Sequence, residues 1–224
     1  MREVALDTET TGLSYDKGDK LVEIGCLELV NHIPTGKSYH TYINPRRTVS
    51  AAAVAVHGLS DNFLAEKPAF NEIVSEFLEF ISDSPLIIHN AAFDLGFINK
   101  ELTETGLKPI PHEQAIDTVL LARRKFPGAP ASLDSLCRRF GINNEHRVLH
   151  GALLDAELLA EVYLELKGGR QPGLVLQEFH SQKTMRPTQQ RDIPRAARPH
   201  TPSPKEMVAH KRFVESIDDP IWKK

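Results

Sequence analysis

Asp7-Thr8-Glu9-Thr10-Thr11-Gly12, preceded by Arg2-Glu3-Val4-Ala5-Leu6, is the stretch around which the rest of the chain is organised. The run from Arg2 has the character of a strand. Side chains on a strand alternate, so residues two apart share a face. If the strand continues through Glu9, the carboxylates of Asp7 and Glu9 point the same way. Two such charges about 4 Å apart repel by roughly 4 kcal/mol at an effective dielectric near 20. A cation, a proton or open water must lie between them, and magnesium is the ion that suits so oxygen-rich a site. Alone, an acid-X-acid pair at a strand end is more often a solvated turn. What decides the matter is whether further acids converge on the same point.

Working outward, residues 20–30 read as a second strand. Residues 31–36, with Pro34 and Gly36, read as a turn, and 37–43 as a returning strand. This is an antiparallel meander that begins with the acidic strand. Residues 51–56 form a short helix, with Gly58 marking a tight bend. Phe70, Ile73, Val74, Phe77, Leu78 and Ile81 recur at helical spacing, so an amphipathic helix is expected up to about Pro85. Leu86-Ile87-Ile88 is wholly apolar and reads as a buried strand reached by a parallel crossover. Further helices are expected over 93–105, 115–125, 132–140 and 152–167, with Ser132 as an N-cap and Gly141 as a stop. The expected fold is α/β: a mixed sheet, an antiparallel meander plus parallel strands, flanked by helices.

The bulk numbers fit one well-buried domain and a tail. The 224 residues are 41% hydrophobic and 25% charged. Two cysteines, Cys26 and Cys137, lie in unrelated segments, no apolar run approaches the roughly 20 residues a membrane span needs, and no secretory signal precedes the first strand. A cytoplasmic protein with no membrane partner is expected. The net charge of −3 is unevenly spread: residues 1–169 carry 16 Lys/Arg and 24 Asp/Glu, residues 170–224 carry 11 and 6. So acidic a body excludes a purely electrostatic DNA binder and suits an acidic metal site that meets phosphates through cations. Residues 170–206 hold six prolines among Gln, Arg and Ser and read as a flexible linker. Residues 207–224 regain Phe213, Ile217, Ile221 and the single tryptophan, Trp222, as a short segment suited to ordering on a partner.

Three more residues complete a constellation. Asp94, in His89-Asn90-Ala91-Ala92-Phe93-Asp94, follows the buried strand at the start of a helix. There a charge favoured by the helix dipole is the plainer reading. Asp155 shares the apolar stripe of Leu158, Leu159, Val162 and Leu166, so it faces inward, where a carboxylate has to pair or neutralise. His150 is five residues before Asp155, about 140° around a helix, and therefore belongs to the loop before it. Histidine is the side chain that changes charge near neutral pH and can take a proton from water, although an exposed histidine is the plainer reading.

Taken jointly, Asp7-Thr8-Glu9, the 89–94 stretch, and His150 with Asp155 resemble the three motifs of the DEDDh branch of the DnaQ-like 3′–5′ exonucleases, a family with a ribonuclease H-like fold. Within it, residues 2–169 look closest to the epsilon proofreading subunits of bacterial DNA polymerase III. The likeness is carried also by Val56-His57-Gly58-Leu59, by residues 122–128 and 133–137, and by 149–156. The resemblance implies that Asp7, Glu9, Asp94 and Asp155 bind two divalent cations, magnesium or manganese, and that His150 is the general base. It implies that Thr10 and His57, with Asp7, Glu9 and Asp155, contact the terminal nucleotide of a DNA 3′ end. Ala52 departs from the pattern, since related subunits can carry a glutamate there. In the tail, Gln171-Pro172-Gly173-Leu174-Val175-Leu176 looks like a sliding-clamp motif, though a plain linker reads nearly as well, and the end resembles the segment that holds the polymerase III catalytic subunit. A small accessory subunit on the body is left open. Two other readings are weighed: a stand-alone exoribonuclease or single-strand nuclease with the same motifs, against which the Pro-rich tail argues, and an inactive adaptor between polymerase and clamp, against which the intact acid set argues.

Overall fold

The opening stretch forms β1 (Arg2–Thr10), a strand that runs through Glu9 and so places Asp7 and Glu9 on one face. β2 (Leu21–Val30) pairs with it antiparallel, Asp7 opposite Gly25 and Glu9 opposite Glu23, with a bulge between Glu9 and Thr10. β3 (Ile33–Tyr42) returns antiparallel along β2. The expected six-residue turn is corrected here. Asn31 and His32 alone reverse the chain, at φ 52° and 69°, and Pro34 and Gly36 lie inside the strand. A two-residue reversal with both φ positive matches the twist of the flanking strands. β3 is the outer strand of the sheet, where a residue without an N–H is tolerated.

In this computed structural model the described residues are 1–144, 149–169 and 201–217. After the meander come α1 (Ala51–His57), α2 (Asp61–Leu64) and α3 (Phe70–Ile81), whose buried side chains are Phe70, Ile73, Val74, Phe77 and Ile81. Ser50 and Ser60 cap α1 and α2 by accepting from Ala53 N–H and Phe63 N–H. β4 (Leu86–Ile88) then enters the sheet parallel to β1, and α4 (Ala91–Glu104) follows at once. A second correction concerns residues 115–125. Ala115–Asp117 forms β5, parallel to β4, and only Thr118–Lys125 is helix, α5. Asp117 makes that boundary: its Oδ1 accepts from the N–H of Val119 and Leu120. A three-residue apolar strand and the first turn of a buried helix look alike in sequence. α6 (Leu133–Phe140) and α7 (Ala152–Leu166) complete the first unit.

The sheet order is β3-β2-β1-β4-β5. One face packs Val4, Leu6, Ile24 and Cys26 against α3 and α4; the other packs Ala5, Leu27, Leu29 and Ile87 against residues of α5, α6 and α7. Contacts divide the chain into two units, residues 1–174 and 175–224. In the second, α8 (Pro204–Glu215) is capped by Ser203 and Glu206 in a reciprocal box and exposes Met207, Val208 and Phe213. The clamp-like stretch 171–176 and Trp222 lie outside the described residues. Among the described residues no helix is long and apolar enough to cross a membrane.

Candidate active site

The tip of β1 is where the acids gather. Glu9 points to the α7 face of the sheet, as Asp7 does two residues earlier. α7 can approach that face closely because Gly25, opposite Asp7, has no side chain. A Cβ on Gly25 would lie 2.3 Å from the carbonyl carbon of Ala152 and from the nitrogen of Leu153. The first turn of α7 thus rests on the backbone of β2, and Asp155, in that turn, is brought to the strand tip. One ligand atom each from Glu9, His150 and Asp155 lies within 4.8 Å of the other two.

His150 is on the loop before α7, as its spacing from Asp155 predicts. Its backbone N–H donates to the carbonyl of Val56 at 3.1 Å, which fastens the loop to α1. Its Nδ1 is 3.2 Å from Asp155 Oδ2. The pair is asymmetric in exposure: the His150 side chain is 44% exposed and that of Asp155 only 4%. The carboxylate is a fixed anchor, and the imidazole stands where water can reach it.

Asp94 arrives from the opposite face. β4 pairs with β1 at Val4 and Ala5, opposite Leu86 and Ile87, and α4 begins just after β4 ends. Its first turn therefore stands beside the far half of β1. Asn90, in the left-handed region at φ 68°, makes the sharp strand-to-helix step. Thr8 Oγ1, on the α4 side of β1, donates to Asp94 Oδ1 at 2.7 Å. Asp94 is buried, and burial pushes its carboxyl up to about 7; the bonds from Thr8 pull the other way, and the charge of Asp117 adds to the rise. Asp117 also holds α4 in place, since its Oδ2 accepts from Ala91 N–H at 3.1 Å.

His57, at the end of α1, is buried. Its Nδ1 accepts from Leu59 N–H at 3.0 Å, which leaves the proton on Nε2, and Nε2 donates to the carbonyl of Thr10 at 3.2 Å. Burial lowers its pKa, the Thr10 bond partly opposes this, and the nearby charge of His150 lowers it further. Thr8, Glu9, Thr10, His57, Ala52 and Phe93 are among the residues that line a cavity of about 230 Å³ beside the acids. Ala52, small and exposed at the start of α1, leaves that wall without a carboxylate.

The donors suit a hard divalent cation. Carboxylate oxygens of Glu9 and Asp155 converge, Asp7 shares the face of Glu9, and the buried Asp94 reaches the same strand from the α4 side, through Thr8. Nothing local in the sequence singles out Thr8 or Gly25 for these roles. Asp117 alone leaves a trace, as an acid at a helix N-cap.

A family model described as Exonuclease matches residues 4–163. A DNA polymerase III subunit epsilon from Rickettsia felis is 46% identical over 222 residues, which covers 97% of this chain and 97% of that protein. Among solved structures, exonuclease X in complex with 5′ overhanging duplex DNA superposes with a TM-score of 0.58 at 26% identity, covering 73% of this chain and 89% of that one. The nuclease domain of 3′hExo, a DEDDh family member bound to rAMP, superposes at 0.63 with 16% identity, covering 75% and 92%.

Proposed function

Since this chain belongs to the exonuclease family, among its DNA polymerase III epsilon subunits, and is a 3′–5′ DNA exonuclease, we propose that Asp7, Glu9, Asp94 and Asp155 hold two divalent cations at the tip of β1 and that His150 is the general base. The observation that carries this reading is the meeting of Glu9, His150 and Asp155 within 4.8 Å, from a strand, a loop and a helix far apart in the chain. Bound magnesium or manganese would neutralise the scissile phosphate and ease deprotonation of the attacking water. The chain's own residues do the rest. With Nδ1 turned to Asp155, His150 keeps its proton there and offers Nε2 to the water. Asp155, buried, orients the ring and stabilises the imidazolium formed when the proton arrives.

The cavity lined by Thr10, His57 and Phe93 receives the last nucleotide of the strand. His57, neutral and tied to the Thr10 carbonyl, holds the end of β1 against α1 and so shapes that cavity. An unpaired end enters it more readily than a paired one, because fewer stacking and pairing contacts are given up. Selection of mispaired ends follows. The tail serves assembly: residues 207–224 dock on the catalytic subunit of polymerase III, and 171–176 touch the sliding clamp.

The test is a primer–template with a 3′ mispair, incubated with purified protein with and without magnesium, beside an RNA oligomer of the same sequence. Faster release of deoxynucleoside monophosphate from the mispaired end, only with the cation, is the expected result. Asp155→Ala should abolish it, by about 10³-fold or more, while the domain stays folded, since the removed charge is one that repels its neighbours. A variant with wild-type turnover would mean the site is misplaced, and faster loss of RNA than of DNA would favour the exoribonuclease reading.

A further inference from the structure

Resting on that reading, we propose that Glu23 and His40 form a positioning pair that fixes the start of α7, and through it His150 and Asp155, for the hydrolysis of DNA. Glu23 is 3% exposed and lies directly opposite Glu9 in the β1–β2 ladder. Like charges directly opposite on one face are destabilising, and a buried carboxylate is costly unless paired. Further along the same face of β2, Leu27 and Leu29 are aliphatic, which is what sheet stability alone would choose. The carboxylate at 23 is paired with His40 of β3, whose Nε2 is 2.7 Å from Glu23 Oε1.

The pair stands where the chain enters α7. His40 is opposite Gly25 in the β2–β3 ladder, and Gly25 is the residue against which Ala152 and Leu153 rest. Glu23 Oε1 would lie 4.0 Å from a Cβ on Gly151, the N-cap of α7. Glu23 and His40 thus wall the seat of residues 151–153, one residue from the proposed base. A second carboxylate on this face, Glu3, fastens α7 further along: it accepts from Tyr163 Oη at 2.8 Å and is 2.7 Å from His32 Nδ1. The two attachments differ in place. Glu3 holds the helix away from the site, Glu23 at the site's edge.

The difference supplies the experiment. Full-length wild type, Glu23→Ala, Glu23→Gln, His40→Ala, the Glu23→Ala/His40→Ala double variant and Tyr163→Phe are assayed on single-stranded DNA with magnesium, for kcat, KM and Tm. Loss of either member of the pair should lower kcat about tenfold or more with KM within about twofold, as a displaced catalytic group does. The double variant should be no worse than the single ones. Glu23→Gln, which still accepts a hydrogen bond from His40, should restore most of kcat, and Tyr163→Phe should lower Tm and leave kcat unchanged. Wild-type kcat in Glu23→Ala and His40→Ala below their own Tm, or effects that simply add, would overturn the proposal. If Glu23→Ala does not fold, His40→Ala decides, because His40 is partly exposed. A wild-type protein that leaves DNA intact would instead count against the nuclease reading itself.

Discussion

Asp94 concentrates the chemistry of the site in one side chain. It is buried against Thr8, and burial holds its carboxyl up to about 7, against an ordinary value of 3.8. Without cations the folded protein binds a proton on Asp94 that the unfolded chain gives up at lower pH. That contribution to stability is fully present below the ordinary value and is lost as pH rises through about 7. In chelator, the Tm of the wild type should therefore fall relative to that of Asp94→Asn between about pH 4 and about pH 7, and magnesium should restore it at the upper end. Parallel Tm curves for the two proteins would sink the account of Asp94. His57 shows a different use of burial. Its pKa is lowered, so it stays neutral and keeps a proton on Nε2 for the Thr10 carbonyl. A charged imidazole there would also lose the Nδ1 acceptor that takes Leu59 N–H. Both residues are picked out in the sequence by the motifs they belong to; their environment gives them their protonation states.

At the scale of the element, α7 carries most of the precision. Its apolar stripe, with Leu158, Leu159, Val162 and Leu166 buried, is legible in the sequence because helical periodicity is local. The inward-facing Asp155 follows from that stripe. How close the helix comes to the sheet does not follow, because it depends on Gly25 in a strand more than a hundred residues earlier. Gly25→Ala should push the first turn of α7 away from β1. A loss of about 1–3 kcal/mol of stability is expected from overpacking, with a fall in kcat of about a hundredfold from misplacing Asp155 and His150. Full turnover in this variant would show that the close approach is unimportant. The shorter elements explain the two errors of sequence reading. Asn31 and His32 reverse the chain in two residues, and Ala115–Asp117 pairs with β4 over three. Neither span is long enough for a period to show.

Across the whole molecule, an acidic nuclease unit is followed by a basic, proline-rich tail, so charge separates along the chain. Contacts place the division at residues 174 and 175, and α8 lies in the second unit with Met207, Val208 and Phe213 exposed along it. An apolar set on a short capped helix suits a partner's groove. Truncation after Gly169 should leave hydrolysis of free single-stranded DNA within about twofold of the full chain and abolish co-purification with the polymerase catalytic subunit. A truncated protein that still co-purifies would remove the tail from that role.

By itself the sequence determined the acidic strand, the amphipathic helices and the mixed α/β order, because each is written in local alternation, periodicity or chemical type; the set of candidate acids came from the likeness of its motifs to a family. The tertiary structure alone decided that Glu9, His150 and Asp155 meet within 4.8 Å, that Asp94 is held by Thr8 from the other face, that Gly25 lets the start of α7 close on the sheet, and that Glu23 pairs with His40. Those facts depend on strand register and on the close packing of a helix against a sheet. Register and packing join residues distant in the chain, and no window of neighbouring residues contains them.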